Sequence, residues 1–141
     1  MFYRPILLPL LALVFLTFVI WVYMYVTRLS EIRRKRIDPQ DLDTRVHGQA
    51  LLTESPRQAD NLKNLFELPV LFYVAALLSM VLMIQDPFLV QLAWGYVALR
   101  YVHSFVHCTY NRVMHRFMAY AASCIVLMFI WARLAAYVLM H

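Results

Sequence analysis

The chain's 141 residues fit a single domain, and 63% of them are hydrophobic, with a mean hydropathy of +0.63. An ordinary globular domain is roughly 45–50% apolar, and a soluble chain this small cannot hide such an excess in one core. The net charge of +5 does not mark a nucleic-acid binder either. The basic residues from Arg28 to Lys63 are interleaved with Glu31, Asp38, Asp41, Asp43, Glu54 and Asp60, which suits a solvated loop beside anionic lipid better than a groove for phosphates.

A helix that crosses ~30 Å of hydrocarbon needs ~20 mostly apolar residues. Residues 5–27 carry no charged side chain, and Trp21, Tyr23 and Tyr25 form an aromatic belt near their end. This run is too long for a signal-peptide core and lacks a small-residue cleavage site, so it is expected to stay in the membrane. Residues 28–61 read as a polar loop, irregular at Asp38-Pro39 and Gly48, with room for a short amphipathic piece on the membrane surface. A second span is expected over 62–84, with Glu67 as its one acid. Gln85, Asp86 and Pro87 then make a turn, proline being well suited to the first position of a helix. The third span is expected over 88–107, interrupted by Arg100 and His103, and the fourth over 116–139 after a polar connection at 109–115. The expected fold class is an all-α integral membrane bundle of four helices.

Orientation follows from the basic residues. The 28–61 loop and the 111–116 turn lie on the same side, with Arg112 and Arg116 adding to the loop's positive charge; the opposite side has only Arg4, since Arg133 falls inside the fourth span. The positive-inside rule puts the long loop in the cytoplasm and both termini outside. Cys108 and Cys124 have neither metal-type spacing nor a disulfide framework and are expected as buried free thiols.

Ionisable groups inside a span are costly, so they turn toward protein or water and mark candidate sites. Asn61, Asn64 and Glu67 recur every three residues along the second helix, and Arg100, His103 and His107 recur at three and four along the third. Facing each other, the stripes would let Glu67 offset the charge of Arg100 and accept a hydrogen bond from a histidine. Three readings fit. The first is a buried polar clamp between helices. A metal site is the second, but two histidines at i and i+4 lack the third ligand zinc usually requires, and paired Glu-x-x-His is absent. The third is a cleft for a polar ligand, in which Arg100, Arg112 and Arg116 grip carboxylates, Tyr110 and Tyr120 donate hydrogen bonds, and the membrane delivers an apolar second substrate. Ser104 beside His103 makes no nucleophilic pair, since adjacent helical residues face different ways. His47 and His115 are expected to be solvated.

The stretches Asn64-Leu65-Phe66-Glu67-Leu68-Pro69, Arg100-Tyr101-Val102-His103 with His107, Asn111-Arg112, and Arg116-Phe117-Met118-Ala119-Tyr120 resemble the MAPEG family, membrane-associated proteins in eicosanoid and glutathione metabolism. The likeness covers about residues 57–131 and is greatest to bacterial-type members. It implies a homotrimer of four-span subunits in a bacterial inner membrane, surrounded by lipid, with glutathione as co-substrate held between subunits near the cytoplasmic face. By position, Asn64, Glu67, Arg100, His103, His107 and Tyr120 would hold glutathione. Arg116 would be the catalytic residue that favours thiolate over thiol, since the thiolate is the nucleophile. The implied activity is glutathione-dependent transfer to, or reduction of, lipophilic electrophiles or hydroperoxides, with no metal and no nucleic acid. The implied alternative is a non-enzymatic relative that binds a lipid or protein partner. Two positions depart from the family pattern. Asp60 stands where glutathione-using relatives carry arginine, with Arg57 one turn earlier as the nearest substitute. Phe117 stands where prostaglandin E synthases carry serine, which argues against prostaglandin synthesis.

Overall fold

A computed structural model describes residues 5–140; Arg4 lies outside them. Among the described residues the regular elements are all helical: α1 (Leu7–Lys35), α2 (Arg45–Leu51), α3 (Pro56–Leu65), α4 (Pro69–Val81), α5 (Pro87–Cys108) and α6 (Val113–Met140), with one 3-10 turn at Pro39–Leu42. Three helical stretches are long and apolar enough to cross a membrane: α1, the combined α3–α4 unit Pro56–Val81, and α6. The large apolar side chains they expose, such as Phe15, Phe18 and Val26 on α1 and Phe117, Met128 and Phe129 on α6, need lipid against them.

Each long helix turns one narrow stripe inward. On α1 it is Leu13, Leu16, Ile20 and Met24; on α6 it is Ala119, Ser123, Leu127, Ile130 and Leu134, both at the three- and four-residue spacing of a helical face. These stripes close on Phe72, Ala75 and Ala76 of α4 and on Ala93, Tyr96 and Val97 of α5. The Phe72 and Tyr96 rings stack with centroids 4.8 Å apart. α5 packs most extensively on α6 and also meets α1 and α3. It is not among the apolar stretches, although its 22 residues reach about 33 Å. Arg100, His103, Ser104 and His107 dilute its hydropathy, yet all four are buried in the bundle.

The second helix differs from the continuous run expected over 62–84. It begins six residues earlier, at Pro56, and is broken between Leu65 and Pro69. Pro69 has no amide proton for the Leu65 carbonyl and disfavours helical geometry at Leu68. The chain tightens through the break instead: the amides of Phe66, Val70 and Leu71 donate to carbonyls only three residues back. The loop expected over 28–61 is likewise more ordered: α1 continues through Lys35, α3 already begins at Pro56, and the segment between holds the 3-10 turn and α2. Asp38 accepts from the Gln40 amide at the start of the 3-10 turn, and Thr44 accepts from the His47 amide to cap α2.

Asp86 fixes the turn between α4 and α5. Its carboxylate accepts from the Phe88 amide at 2.9 Å, capping α5, and from Arg133 Nε of α6 at 2.7 Å. Burial opposes ionisation, but the Arg133 and Phe88 hydrogen bonds outweigh it and hold this carboxyl below its ordinary range. A carboxyl whose folded-state pKa is depressed stabilises above its unfolded value and loses that contribution as pH falls through the folded one. Asp86→Ala is therefore expected to cost about 1–2 kcal/mol at neutral pH, mostly from the cap because Arg133 is half exposed. Thermal unfolding should show the gap from wild type unchanged down to the ordinary carboxylate pKa and narrowing only below it.

Candidate functional site

The polar side chains of α5 gather at the end of the bundle where α3 breaks off. Arg100 is fully buried, and its Nη2 donates to the Asn64 carbonyl at 3.0 Å. That carbonyl is among the last four of α3, which have no intrahelical donor. The break at Pro69 thus creates the acceptor that Arg100 uses. The guanidinium also lies 5.7 Å from the centre of the Tyr120 ring, within cation–π range.

One turn on, His103 meets α6: its Nδ1 lies 3.1 Å from the Arg116 carbonyl. A carbonyl only accepts, so Nδ1 carries the proton and, in the neutral ring, Nε2 is left as an acceptor. The His103 ring sits edge-on to His107 at 5.6 Å and tilted against Tyr120 at 5.8 Å. Arg116 is half-buried at the start of α6 and donates from Nη1 to Asn111 Oδ1 at 2.9 Å. Arg100, His103, His107, Arg116 and Tyr120, expected together from the sequence, are brought together, and Asn64 joins them through its backbone carbonyl.

Glu67 stands at the edge of the cluster: it is exposed and makes neither an ion pair nor a hydrogen bond to Arg100 or the histidines among the described residues, yet its charge acts on Arg100 and Tyr120 across the intervening space. The three-residue spacing from Asn61 holds one face only while the helix continues. α3 ends at Leu65, so Glu67 falls in the break, where its side chain is exposed. Arg57 is also committed elsewhere, donating to the Thr109 carbonyl at 3.3 Å, while Asp60 is exposed. Tyr110 and His115 pair with each other at 3.1 Å on the exposed turn, and His47 pairs with Asp43 at 2.8 Å.

Two buried groups matter more than their sequence signals suggest. Asn61 joins α3 to α5, accepting from Ser104 Oγ at 3.2 Å and donating to Cys108 Sγ at 3.3 Å. Ser104 and Cys108 stand four apart, so one amide bridges both. Glu31, the lone acid in the basic end of α1, is buried, and it accepts from the amides of Thr53, Glu54 and Ser55, from Ser55 Oγ, and from Lys35 Nζ. That carboxylate fastens the start of α3 to α1 and thereby fixes where Asn61 and Asn64 meet α5.

The electrostatics of the cluster are lopsided. Arg100 meets no carboxylate within ion-pair distance among the described residues, and its Nε and Nη1 have no hydrogen-bond partner; neither do His103 Nε2 and His107 Nδ1. A buried guanidinium cannot shed its charge, and an unpaired one is costly. The unmatched donors of Arg100 suit an anionic ligand with several acceptor oxygens, while His103 Nε2, an acceptor in the neutral ring, suits a donor on the ligand. Among the described residues no three His, Cys, Asp or Glu side chains converge as metal ligands, and both cysteines are free and half-buried.

A helical membrane bundle with a buried arginine–histidine cluster at one end is the class of protein these features define. The chain belongs to the MAPEG family, whose model matches residues 6–136, nearly its whole length. Neither a curated protein nor a solved structure matches it. Family membership and the apolar helices together make this an integral membrane protein.

Proposed function

We propose that the protein is a membrane-bound, glutathione-dependent transferase or peroxidase acting on lipophilic electrophiles or hydroperoxides. The observation that carries this reading is the buried, unpaired guanidinium of Arg100 beside His103, His107 and Tyr120, in a chain of the MAPEG family. Glutathione offers two carboxylates and two amide carbonyls, the acceptors that Arg100 Nε and Nη1 lack. Asn64 and the two histidines contribute further polar atoms, and Glu67, exposed at the helix break, is free to receive the ligand's ammonium. Arg116 supplies a cation that favours thiolate, the form that attacks. The membrane concentrates the apolar co-substrate.

In this reading α5 is the fourth span, its polar face turned inward, and three copies assemble so that each site is closed by a neighbour. The charge bias around residues 28–63 and at Arg112 and Arg116 supports a bacterial inner-membrane protein with the site's end of the bundle in the cytoplasm and the termini opposite. The test is conjugation of glutathione to a generic aromatic electrophile by the purified protein. Wild type is expected to be active and Arg116→Ala to lose roughly a hundredfold in kcat, the order of effect of removing one transition-state charge partner.

A second reading is a non-enzymatic MAPEG protein in which the same cluster holds a lipid or protein partner. Asp60 favours it, since an exposed carboxylate stands where glutathione-using relatives resemble one another in carrying arginine. Turnover that depends on Arg116 would eliminate this reading.

A further inference from the structure

Apolar surface and positive charge meet at one place on α1. Val26 and Leu29 are exposed on its last apolar turns, and Arg33 and Arg34 are exposed beyond them, with Ser30 between. These five side chains line one open face of α1 over about two turns. The step from Leu29 to Arg33 is about 6 Å along the axis, close to the roughly 5–7 Å of headgroup layer on each side of the hydrocarbon. Val26 and Leu29 therefore lie nearer the hydrocarbon than Arg33, by a step that matches the one from acyl chains to lipid phosphates.

The two arginines are not equivalent. Arg34 is ion-paired with Glu54, so its charge is offset. Among the described residues the Arg33 side chain and the Ser30 hydroxyl have no hydrogen-bond partner, and Lys35 is taken up by Glu31, Thr53 and the Leu51 carbonyl. We infer that this face of α1 binds an anionic phospholipid, its phosphate on Arg33 and Ser30 and an acyl chain against Val26 and Leu29. The site lies on the outer face of α1, away from the Arg100 cluster, and does not depend on the glutathione reading.

Native mass spectrometry of the detergent-purified protein tests it, with phosphatidylglycerol and phosphatidylcholine of identical chains. Wild type is expected to retain phosphatidylglycerol preferentially. Arg33→Gln should lower that retention about fivefold, the effect of one interfacial arginine, without changing phosphatidylcholine retention. Arg45→Gln removes the same charge from the exposed α2 and should leave both unchanged. Equal retention of the two lipids by wild type, or an equal loss in both variants, would overturn the site. Excess inorganic phosphate is expected not to displace the lipid, because it lacks the chain contacts; full displacement would overturn the lipid as occupant.

Discussion

Glu31→Ala is expected to destabilise the protein by about 2–4 kcal/mol, because it strands the buried amide and hydroxyl of Ser55 and takes the acceptor from the amides of Thr53 and Glu54 at the edge of the site. The cost is unusual for a residue in so basic a stretch of sequence. It arises because one carboxylate closes a chain reversal: the segment after α2 returns to α1, and Thr53, Glu54 and Ser55 all direct their amides at it. Lys35, partly exposed, regains water when the carboxylate goes and adds little. Glu31→Gln keeps one oxygen acceptor but sets a donor against Ser55, so it should fall between wild type and alanine, about 1–3 kcal/mol. Because Ser55 precedes Pro56 at the start of α3, a loosened anchor also moves Asn61 and Asn64 relative to α5. Thermal or urea unfolding in detergent measures the stability; a loss under about 1 kcal/mol for alanine, the value of an ordinary surface change, would contradict the anchor.

Arg100→Met is expected to do the opposite to stability while abolishing ligand binding. Arg100 makes one hydrogen bond, to the Asn64 carbonyl, against the cost of a buried charge with no carboxylate partner. Replacing buried ionic groups by apolar residues of similar volume is often neutral or stabilising by about 1–4 kcal/mol. The variant's unliganded thermal midpoint should therefore stay level or rise. Stabilisation by glutathione, about 2.7 kcal/mol at a hundredfold excess over Kd, should vanish. A polar clamp between α3 and α5 predicts the reverse, a lowered midpoint and no change in any ligand response. The two roles for Arg100 thus differ in sign as well as size.

Most of the bundle could be read from the chain because lipid imposes a simple rule: uncharged runs long enough to span, separated by charge. α1 and α6 follow it, and the turn at Asp86-Pro87 carries its own capping signal. α5 is harder, since hydropathy averages around the helix and cannot tell inward polar residues from outward ones. Its Arg100, His103 and His107 spacing nevertheless gave the inward face correctly. The same spacing argument is met only in part at Glu67, which leaves the helix before Pro69 and is exposed, while its charge still acts on Arg100. Proline at that position was legible, but not which of the preceding residues would leave the helix. Glu31 was not legible as an anchor, because the groups it fastens, the Thr53–Ser55 amides and the Ser55 hydroxyl, lie more than twenty residues away, and only Lys35 is near it in sequence. Asn61 was marked by its spacing from Asn64, while its bridge to Ser104 and Cys108 depends on how α3 and α5 are set side by side.

Equilibrium binding of glutathione to the purified protein in detergent, measured by calorimetry on wild type and Arg100→Met, bears most directly on the account. Saturable binding by wild type below about millimolar Kd, or roughly −4 kcal/mol, with none by the variant, is the predicted result. Absence of binding by folded wild-type protein at millimolar glutathione, or equal binding by both proteins, would contradict it.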